Sequence, residues 1–209
     1  MRRFLLAVAI LALSTVAFAA KDDPKSASSV DASMPISKNW SLERILSLNR
    51  DQIVELWKTL PPVSMAEMNG HYMGLVPNAG DKTRQASTSD FMYDENLNQG
   101  YWLGKAYKQI GPNNGEGYNR YRMPGGRVVR KLRFSTEVGP SLIDGKPSFI
   151  MHYSAYNKST LIDELRKLDD HIYLGLGTKE DKDGKRGTPG HFLLVGPTDE
   201  WVGAGDNGK

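Results

Sequence analysis

Two short stretches of the chain share one frame, in which an aromatic residue lies two positions from a glycine on each side. They are GHYMG at residues 70–74 and GYWLG at residues 100–104. Alternate residues of a β-strand lie on one face, so each frame predicts a large ring flanked by bare backbone. Such glycines let a strand bend and let the ring cover the backbone. The frames favour curved barrel strands, and a flat sheet in which a ring covers two unrelated glycines is the alternative.

Around these frames, short segments rich in Tyr, Val, Ile, Phe and Leu alternate with turn signals. The turns include Asp144-Gly145 and Asp183-Gly184, and Asp-Gly is a strong hairpin dipeptide. We expect strands near residues 71–76, 101–110, 118–123, 127–138, 148–156, 171–178 and 191–196. Short turns and little room for crossover helices predict a mainly β fold, an antiparallel meander closed or nearly closed into a small barrel.

Helices are predicted at two places. Near the N-terminus, a segment over residues 41–48 precedes a second helix that starts at Asn49, which forms a capping box with Gln52, and stops at Pro61. One inserted helix is predicted over residues 160–168, because four apolar residues there have helical spacing: Leu161, Ile162, Leu165 and Leu168.

The chain begins with MRRFLLAVAILALSTVAFAA, in which two arginines precede an apolar run and a small-x-small motif ends at Ala19. This pattern predicts a cleaved signal peptide over residues 1–19, and hence a periplasmic or secreted protein without a transmembrane segment after cleavage. A retained membrane anchor is the alternative, although Ser14 and Thr15 interrupt the run. We expect a flexible linker over 20–38, helices plus barrel over 39–198, and a flexible tail over 199–209.

Composition narrows the classes of site and partner. The chain has no cysteine, which excludes disulfides, thiolate metal sites and a lipid-modified cysteine anchor. Removing Arg2 and Arg3 with the signal leaves 25 of the 27 basic residues against 24 acidic ones, a formal charge of +1. A nucleic-acid partner would need a dominant basic field, so none is expected.

The sequence also resembles a known family. The Gly-x-Tyr-x-Gly frame at 70–74, Trp102-x-Gly104-Lys105, the segment PSFIMHYSAYNKSTLIDELRKLDDHIYLGLG and the late HFLLVG are similar to bacterial GXWXG-domain proteins with their companion C-terminal domain of unknown function. The resemblance covers roughly residues 56–197 and implies a lipocalin-like small β-barrel without an established activity. Tyr72 stands where the family's name has tryptophan, and the loops over 80–98 and 179–190 are long.

Arg130 is the most informative polar residue. In RVVRKLRFS, strict alternation places it on the same face as Val128, Leu132 and Phe134, which is apolar. Arginine keeps its charge, so a buried one must find a partner. That partner is the carboxylate of an amphipathic ligand inside the barrel, or an internal group such as Asp163 or an aromatic ring.

The remaining predicted ligand contacts are aromatic residues and one methionine that could line an apolar cavity or fill it. They are Tyr72, Trp102, Phe134, Phe149, Met151 and Tyr153. The four histidines have no metal-ligand spacing, so no metal or other cofactor is expected. The acids of the predicted inserted helix and its exit, Asp163, Asp169 and Asp170, could act as a general base. Pairing of Asp163 and Asp170 with Arg166 on one helix surface is the commoner role of such acids.

Together these observations predict an exported barrel that binds a small hydrophobic or amphipathic molecule, one that could carry a carboxylate. An enzyme of hydrolase or isomerase type, with acids or a histidine at the barrel mouth, is the first alternative. A packed envelope-interaction domain without a ligand is the second. The sequence does not decide whether the interior is open or packed, nor the oligomeric state.

Overall fold

The computed structural model describes residues 42–77 and 82–205. The predicted signal peptide and the predicted linker lie outside the described residues. Eight strands follow one another along the chain: β1 (Gly70–Leu75), β2 (Tyr101–Gly111), β3 (Asn114–Arg122), β4 (Val128–Pro140), β5 (Pro147–His152), β6 (Ile162–Asp169), β7 (Ile172–Thr178) and β8 (Gly190–Asp199).

The strands form one closed antiparallel barrel in chain order. Each strand pairs with the next, and β8 returns to pair with β1, where Met73 lies opposite Val195. The predicted antiparallel meander and its closure are confirmed, and the seven expected strands lie close to their expected positions. Closure leaves no free sheet edge in the barrel.

Three α-helices accompany the barrel within the described residues: α1 (Leu42–Ser47), α2 (Arg50–Thr59) and α3 (Lys82–Tyr93). The capping box at the start of α2 is confirmed, because the Asn49 side chain accepts from the backbone N–H of Gln52 and the Gln52 side chain accepts from that of Asn49. Helix α3 was not predicted, because its apolar residues form no stripe along one face.

The predicted inserted helix over 160–168 is wrong, since this segment forms β6. Both faces of β6 are buried: Leu165 packs in the barrel interior, while Leu168 packs outside with Ile53 and Trp57 of α2. A strand covered on both faces carries no polar and apolar alternation, and here its apolar residues happen to have helical spacing.

Arg166 of β6 holds α2 and the β4–β5 hairpin together on the outside of the barrel. Its guanidinium donates to both carboxylate oxygens of Asp144, at 2.8 and 2.7 Å, and to the carbonyl oxygen of Trp57 at 3.3 Å. It also stacks on the Trp57 ring, 3.9 Å from the ring centre. The predicted surface pairing of Arg166 with Asp163 is wrong, because odd and even positions of a strand face opposite ways.

Bulges in β2 and β4 reverse the side-chain alternation of these two strands. In β2 the register shifts between Trp102 and Gly104, and Gly104 has a φ of 125°. In β4 the shift accompanies Leu132, which has a φ of 52°. Each bulge adds one residue to its strand, so side chains beyond it change faces relative to a strict alternation.

The two barrel ends are closed differently. At one end, residues 61–69 turn across the opening, and Val63, Met65 and Met68 are buried in the interior cluster. At the other end, the connection from β1 to β2 carries α3. We call this second opening the α3 end.

The bulge at Gly104 gives the first prediction. A Cβ at Gly104 would overlap the Tyr72 carbonyl oxygen of β1, and φ is positive. We expect Gly104→Ala to lower the free energy of unfolding by more than about 2 kcal/mol, since backbone cannot move aside cheaply. Gly125→Ala is the control: φ is 80° and a Cβ there meets nothing within 4 Å, so only the positive-φ cost of about 1 kcal/mol applies. Urea unfolding measures both, and equal losses would contradict this account.

The Asp144–Arg166 pair gives the second prediction. The hydrogen bonds from Arg166 hold the pKa of Asp144 below its ordinary value. A depressed carboxyl pKa contributes stability that is present above the unfolded-state pKa and lost as pH falls through the folded-state pKa. We therefore expect Asp144→Asn to cost about 3 kcal/mol at pH 7 and progressively less below about pH 4. Denaturant unfolding of both proteins across this pH range tests it, and a cost independent of pH would refute the assignment.

Candidate functional site

A group of polar side chains lies inside the otherwise aromatic barrel, in the half nearer the α3 end. We call it the Lys105 network, and its members are Lys105, Asn119, Tyr153, Asp163 and Trp102. Each of these side chains is almost completely buried, and Lys105 is 3% exposed. The strand register brings Lys105 of β2 directly beside Asn119 of β3, while Asp163 enters from β6 across the interior.

The hydrogen bonds of the network satisfy every donor of the lysine. The Lys105 Nζ donates to Asp163 Oδ2 at 2.8 Å, to the Tyr153 hydroxyl at 2.6 Å and to Asn119 Oδ1 at 2.9 Å. The Tyr153 hydroxyl in turn donates to Asp163 Oδ2 at 2.9 Å. Because ammonium has three donors and no acceptor, this coordination is complete.

Asn119 links the network to the two bulged strands. Its Oδ1 also accepts from the Trp102 indole N–H at 3.0 Å. Its Nδ2 donates to the Tyr153 hydroxyl at 2.9 Å and to the Leu132 carbonyl oxygen at 3.4 Å. The positive φ of Leu132 thus belongs to the strand distortion that supplies this carbonyl group.

Aromatic rings enclose the ammonium group. The Lys105 Nζ lies between 5.1 and 5.8 Å from the centres of four rings, those of Phe192, Tyr153, Phe134 and Trp102. A cation near ring faces is attracted by the ring quadrupoles. The rings also exclude water, which makes the ion pair strongly dependent on its own hydrogen bonds.

Burial shifts the ionisation of these groups. It lowers the pKa of Lys105 below its ordinary value, and the neighbouring charge of Asp163 opposes this shift. Burial raises the pKa of Tyr153 well above its ordinary value, and the Asp163 charge adds to that effect. Tyr153 is therefore a neutral hydroxyl at physiological pH, and the network as a whole carries no net charge.

Five partly buried apolar residues cover the interior cluster from the α3 end or pack at its margin. We call them the roof, and they are Val76, Met92, Tyr93, Met123 and Leu161. Helix α3 is held through its last turn: the Tyr93 hydroxyl accepts from the Val76 N–H at 2.8 Å, and the Tyr93 ring lies 5.1 Å from that of Tyr101. Elsewhere along α3, Thr83, Ala86, Ser87, Asp90 and Phe91 are exposed.

The structure brings six of the seven predicted ligand contacts together in the interior. They are Tyr72, Trp102, Phe134, Phe149, Met151 and Tyr153, all between 0 and 2% exposed. The rings of Phe134 and Tyr153 lie 5.2 Å apart, edge to face. The Tyr107 ring lies 5.6 Å from both Phe134 and Phe149, tilted against the first and edge to face with the second. The sequence left open whether these residues line a cavity or fill the interior. In this part of the barrel they fill it.

Arg130, the seventh predicted contact, lies on the outer face of the barrel. It shares that face with Val128 and Leu132, as alternation predicts, but the bulge at Leu132 turns Phe134 to the inside instead. The prediction that Arg130 points inward is therefore wrong. Its guanidinium donates to the carbonyl oxygens of Val202 and Gly203, at 3.2 and 2.8 Å, and so holds residues expected to form a flexible tail.

The predicted acids and histidines do not converge on one mouth. Asp163 lies near the α3 end of β6, whereas Asp169 is the last residue of that strand, at the opposite end of the barrel. His152 bonds to Glu137 at 2.9 Å on the outer face, and His71 bonds to the Tyr118 hydroxyl at 3.0 Å. Within residues 42–77 and 82–205, no three His, Asp or Glu side chains are placed to hold a metal ion.

An open cavity of about 450 Å³ lies at the barrel end opposite α3. It lies beside the exposed side chain of Lys108 and is separate from the Lys105 network. Its lining residues are Asn69, Gly70, Lys108, Pro197, Thr198, Asp199, Glu200 and Trp201. In the part of the chain described, no helix is both long and apolar enough to cross a membrane.

Sequence reasoning missed Lys105 and Asn119 as site residues. Strict alternation from Trp102 puts Gly104 inside and Lys105 outside, and only the bulge at Gly104 reverses this. The signal that could have shown the bulge is the glycine itself, since an isolated glycine within a strand pattern often marks one.

Comparisons with known proteins add little to this description. No family model matches the chain, and no curated protein matches it. A solved structure, the crystal structure of a protein from Thermomonospora curvata, shares 21% identity and covers 71% of this chain and 87% of that chain, with a TM-score of 0.47. Membership of the GXWXG family stays a prediction.

The Lys105–Asp163 pair gives the third prediction. Lys105→Met leaves the buried Asp163 carboxylate without its cation, and Asp163→Leu leaves the buried Lys105 ammonium without its anion. We therefore expect each variant to lower the free energy of unfolding by about 3–5 kcal/mol. The double variant removes both charges and should cost less than the sum by at least about 2 kcal/mol. The same cycle on the exposed Glu55–Lys58 pair, 2.6 Å apart, should give a coupling below about 0.5 kcal/mol. Similar couplings for the two pairs would contradict a tightly coupled buried network.

Proposed function

We propose that this protein is an exported lipocalin-like barrel that binds a small, mostly apolar molecule through the α3 end. The observation that carries the proposal is the Lys105 network, a buried ion pair with three neutral polar partners in an aromatic interior. Replacing such a pair by apolar residues is often neutral or stabilising. A costly polar cluster beneath an opening is therefore better explained by a ligand than by stability alone.

The charge of the network selects the ligand class. Lys105 and Asp163 neutralise each other at 2.8 Å, and Tyr153 and Asn119 are neutral. An added carboxylate would leave a net negative charge in the interior, which is expensive. The proposed ligand therefore carries one uncharged polar group, a hydroxyl or a carbonyl, in place of the carboxylate that the sequence suggested for Arg130.

Entry requires the roof to move, because the described interior side chains are packed. Two features favour such movement. Methionine side chains such as Met92 and Met123 adapt their shape easily, and α3 buries few apolar groups, so opening it costs little. The ion pair between Arg122 and Glu95 near α3, at 3.3 Å, is more than 40% exposed on both sides and adds little to closure.

The test is calorimetric titration with 1-decanol and with decanoate as matched probes. We expect decanol to bind the purified protein and decanoate to bind more weakly. Tyr153→Phe removes one hydroxyl from the network, and we expect it to weaken decanol binding about tenfold, the cost of one hydrogen bond of about 1.4 kcal/mol.

Arg130→Leu is the control variant, since Arg130 lies on the outer face, and decanol binding should be unchanged. If neither decanol nor decanoate binds, the proposal is rejected. Weakening by Arg130→Leu but not by Tyr153→Phe would place the site elsewhere.

A second function is favoured by the packed rings of the interior. A barrel without a ligand would act through its outer surface, as an interaction domain of the cell envelope. Mass spectrometry of small molecules extracted from natively purified protein separates the two. A co-purifying apolar alcohol, ketone or aldehyde supports ligand binding, and its absence together with failed decanol titration supports the interaction domain.

A further inference from the structure

Lys105 is a buried primary amine, and hydrogen bonding alone does not require one. Any donor could satisfy Asn119 and Tyr153, whereas an amine in a dry site can also act as a nucleophile. The side chain reaches into the interior from the middle of β2 and is enclosed by four rings. A carbonyl group that entered through the α3 end and displaced one of these rings would meet this nitrogen.

We propose that Lys105 forms a reversible imine with an apolar aldehyde. The inference rests on the proposed function, because it needs the same entry through the α3 end, and it narrows the ligand class from uncharged polar groups to aldehydes. Three neighbours carry it: the carboxylate of Asp163 at 2.8 Å, the hydroxyl of Tyr153 at 2.6 Å and the aromatic enclosure.

The proton steps use Asp163. Its carboxylate takes a proton from the Lys105 ammonium, which frees the nitrogen lone pair. That lone pair forms a C–N bond to the aldehyde carbon, and the carbonyl π electrons move to oxygen, which takes the proton from Asp163. Asp163 then removes a second proton from nitrogen and delivers it to the hydroxyl group. The C–O bond breaks, water leaves and the C=N bond forms.

The overall reaction is balanced without an oxidant or a reductant. One ammonium and one aldehyde give one protonated imine and one water. The positive charge begins and ends on the same nitrogen, opposite the Asp163 carboxylate. In between, each proton moves within the interior, so the interior remains neutral throughout. The lowered pKa of Lys105 eases the first proton transfer, since burial disfavours its charged form.

The strand offers its own control lysine. Lys108 lies three residues along β2 and is exposed. A reagent that labels amines by exposure alone prefers Lys108, whereas imine formation in the interior prefers Lys105. The comparison is made within one folded protein, so it does not depend on a variant that folds.

The experiment incubates the folded full chain with decanal and sodium cyanoborohydride, which reduces an imine to a stable secondary amine. Peptide mapping by mass spectrometry then measures the decyl adduct at each lysine. We expect at least about tenfold more adduct at Lys105 than at Lys108, with the preference lost in urea. Lys105→Arg, which keeps the charge, should abolish the preferred adduct and leave labelling at Lys108 unchanged.

Decanol titration separates the two levels of the proposal. If decanol binds but Lys105 gains no more adduct than Lys108, the imine is refuted and the proposed function stands. If decanol does not bind and Lys105 is not labelled, the proposed function and the imine are both refuted. Preferred labelling of Lys105 in the folded chain supports both.

Discussion

The ion pair between Lys105 and Asp163 is the constraint on which the rest of the interior depends. Two charges in an aromatic interior are tolerable only if every remaining hydrogen-bonding group is also satisfied. The Tyr153 hydroxyl, the Asn119 amide and the Trp102 indole meet that demand, and each needs a strand at a particular register. The bulges at Gly104 and Leu132 provide that register. A closed barrel supplies the required rigidity, because each strand is paired on both sides and cannot slide without breaking two ladders.

On the outside of the barrel, a second buried cation is also paired with a carboxylate. Arg166 is wholly buried, yet it is paired bidentately with Asp144 and stacked on Trp57. It fixes α2 against β6, and the helix packs in one apolar cluster with Leu174 of β7 and Leu193 of β8. The two buried ion pairs thus have different settings. The Asp144 pair lies between fixed elements, whereas the Lys105 network lies beneath a helix held at one end. In the proposed function, only the second setting opens to a molecule from solvent.

Much of the fold was predictable from local pattern, and the site was not. Turn dipeptides and aromatic strand segments predicted an antiparallel meander that closes, and the Asn49 capping box located the start of α2. The segment over 160–168 misled because β6 is buried on both faces, so helical spacing and strand burial coincide in its apolar residues. The faces of Arg130 and Lys105 were mispredicted for one shared reason. Each lies on the far side of a bulge from the aromatic residue that set the expected alternation, and a single extra residue exchanges inside and outside. Gly104 is the one sequence signal of the bulge in β2, and the sequence around Leu132 has no comparable glycine.

The central claim is that the Lys105 network is reached by opening α3 while the barrel stays closed. Hydrogen exchange of the native protein, resolved by residue, tests this most directly. Backbone amides of α3 should exchange through local opening, with far lower protection than the amides of Lys105 and Asn119 in β2 and β3, which should exchange only with global unfolding. Equal protection of α3 and these strands would show that the helix does not open separately, and the account of ligand entry would then be wrong.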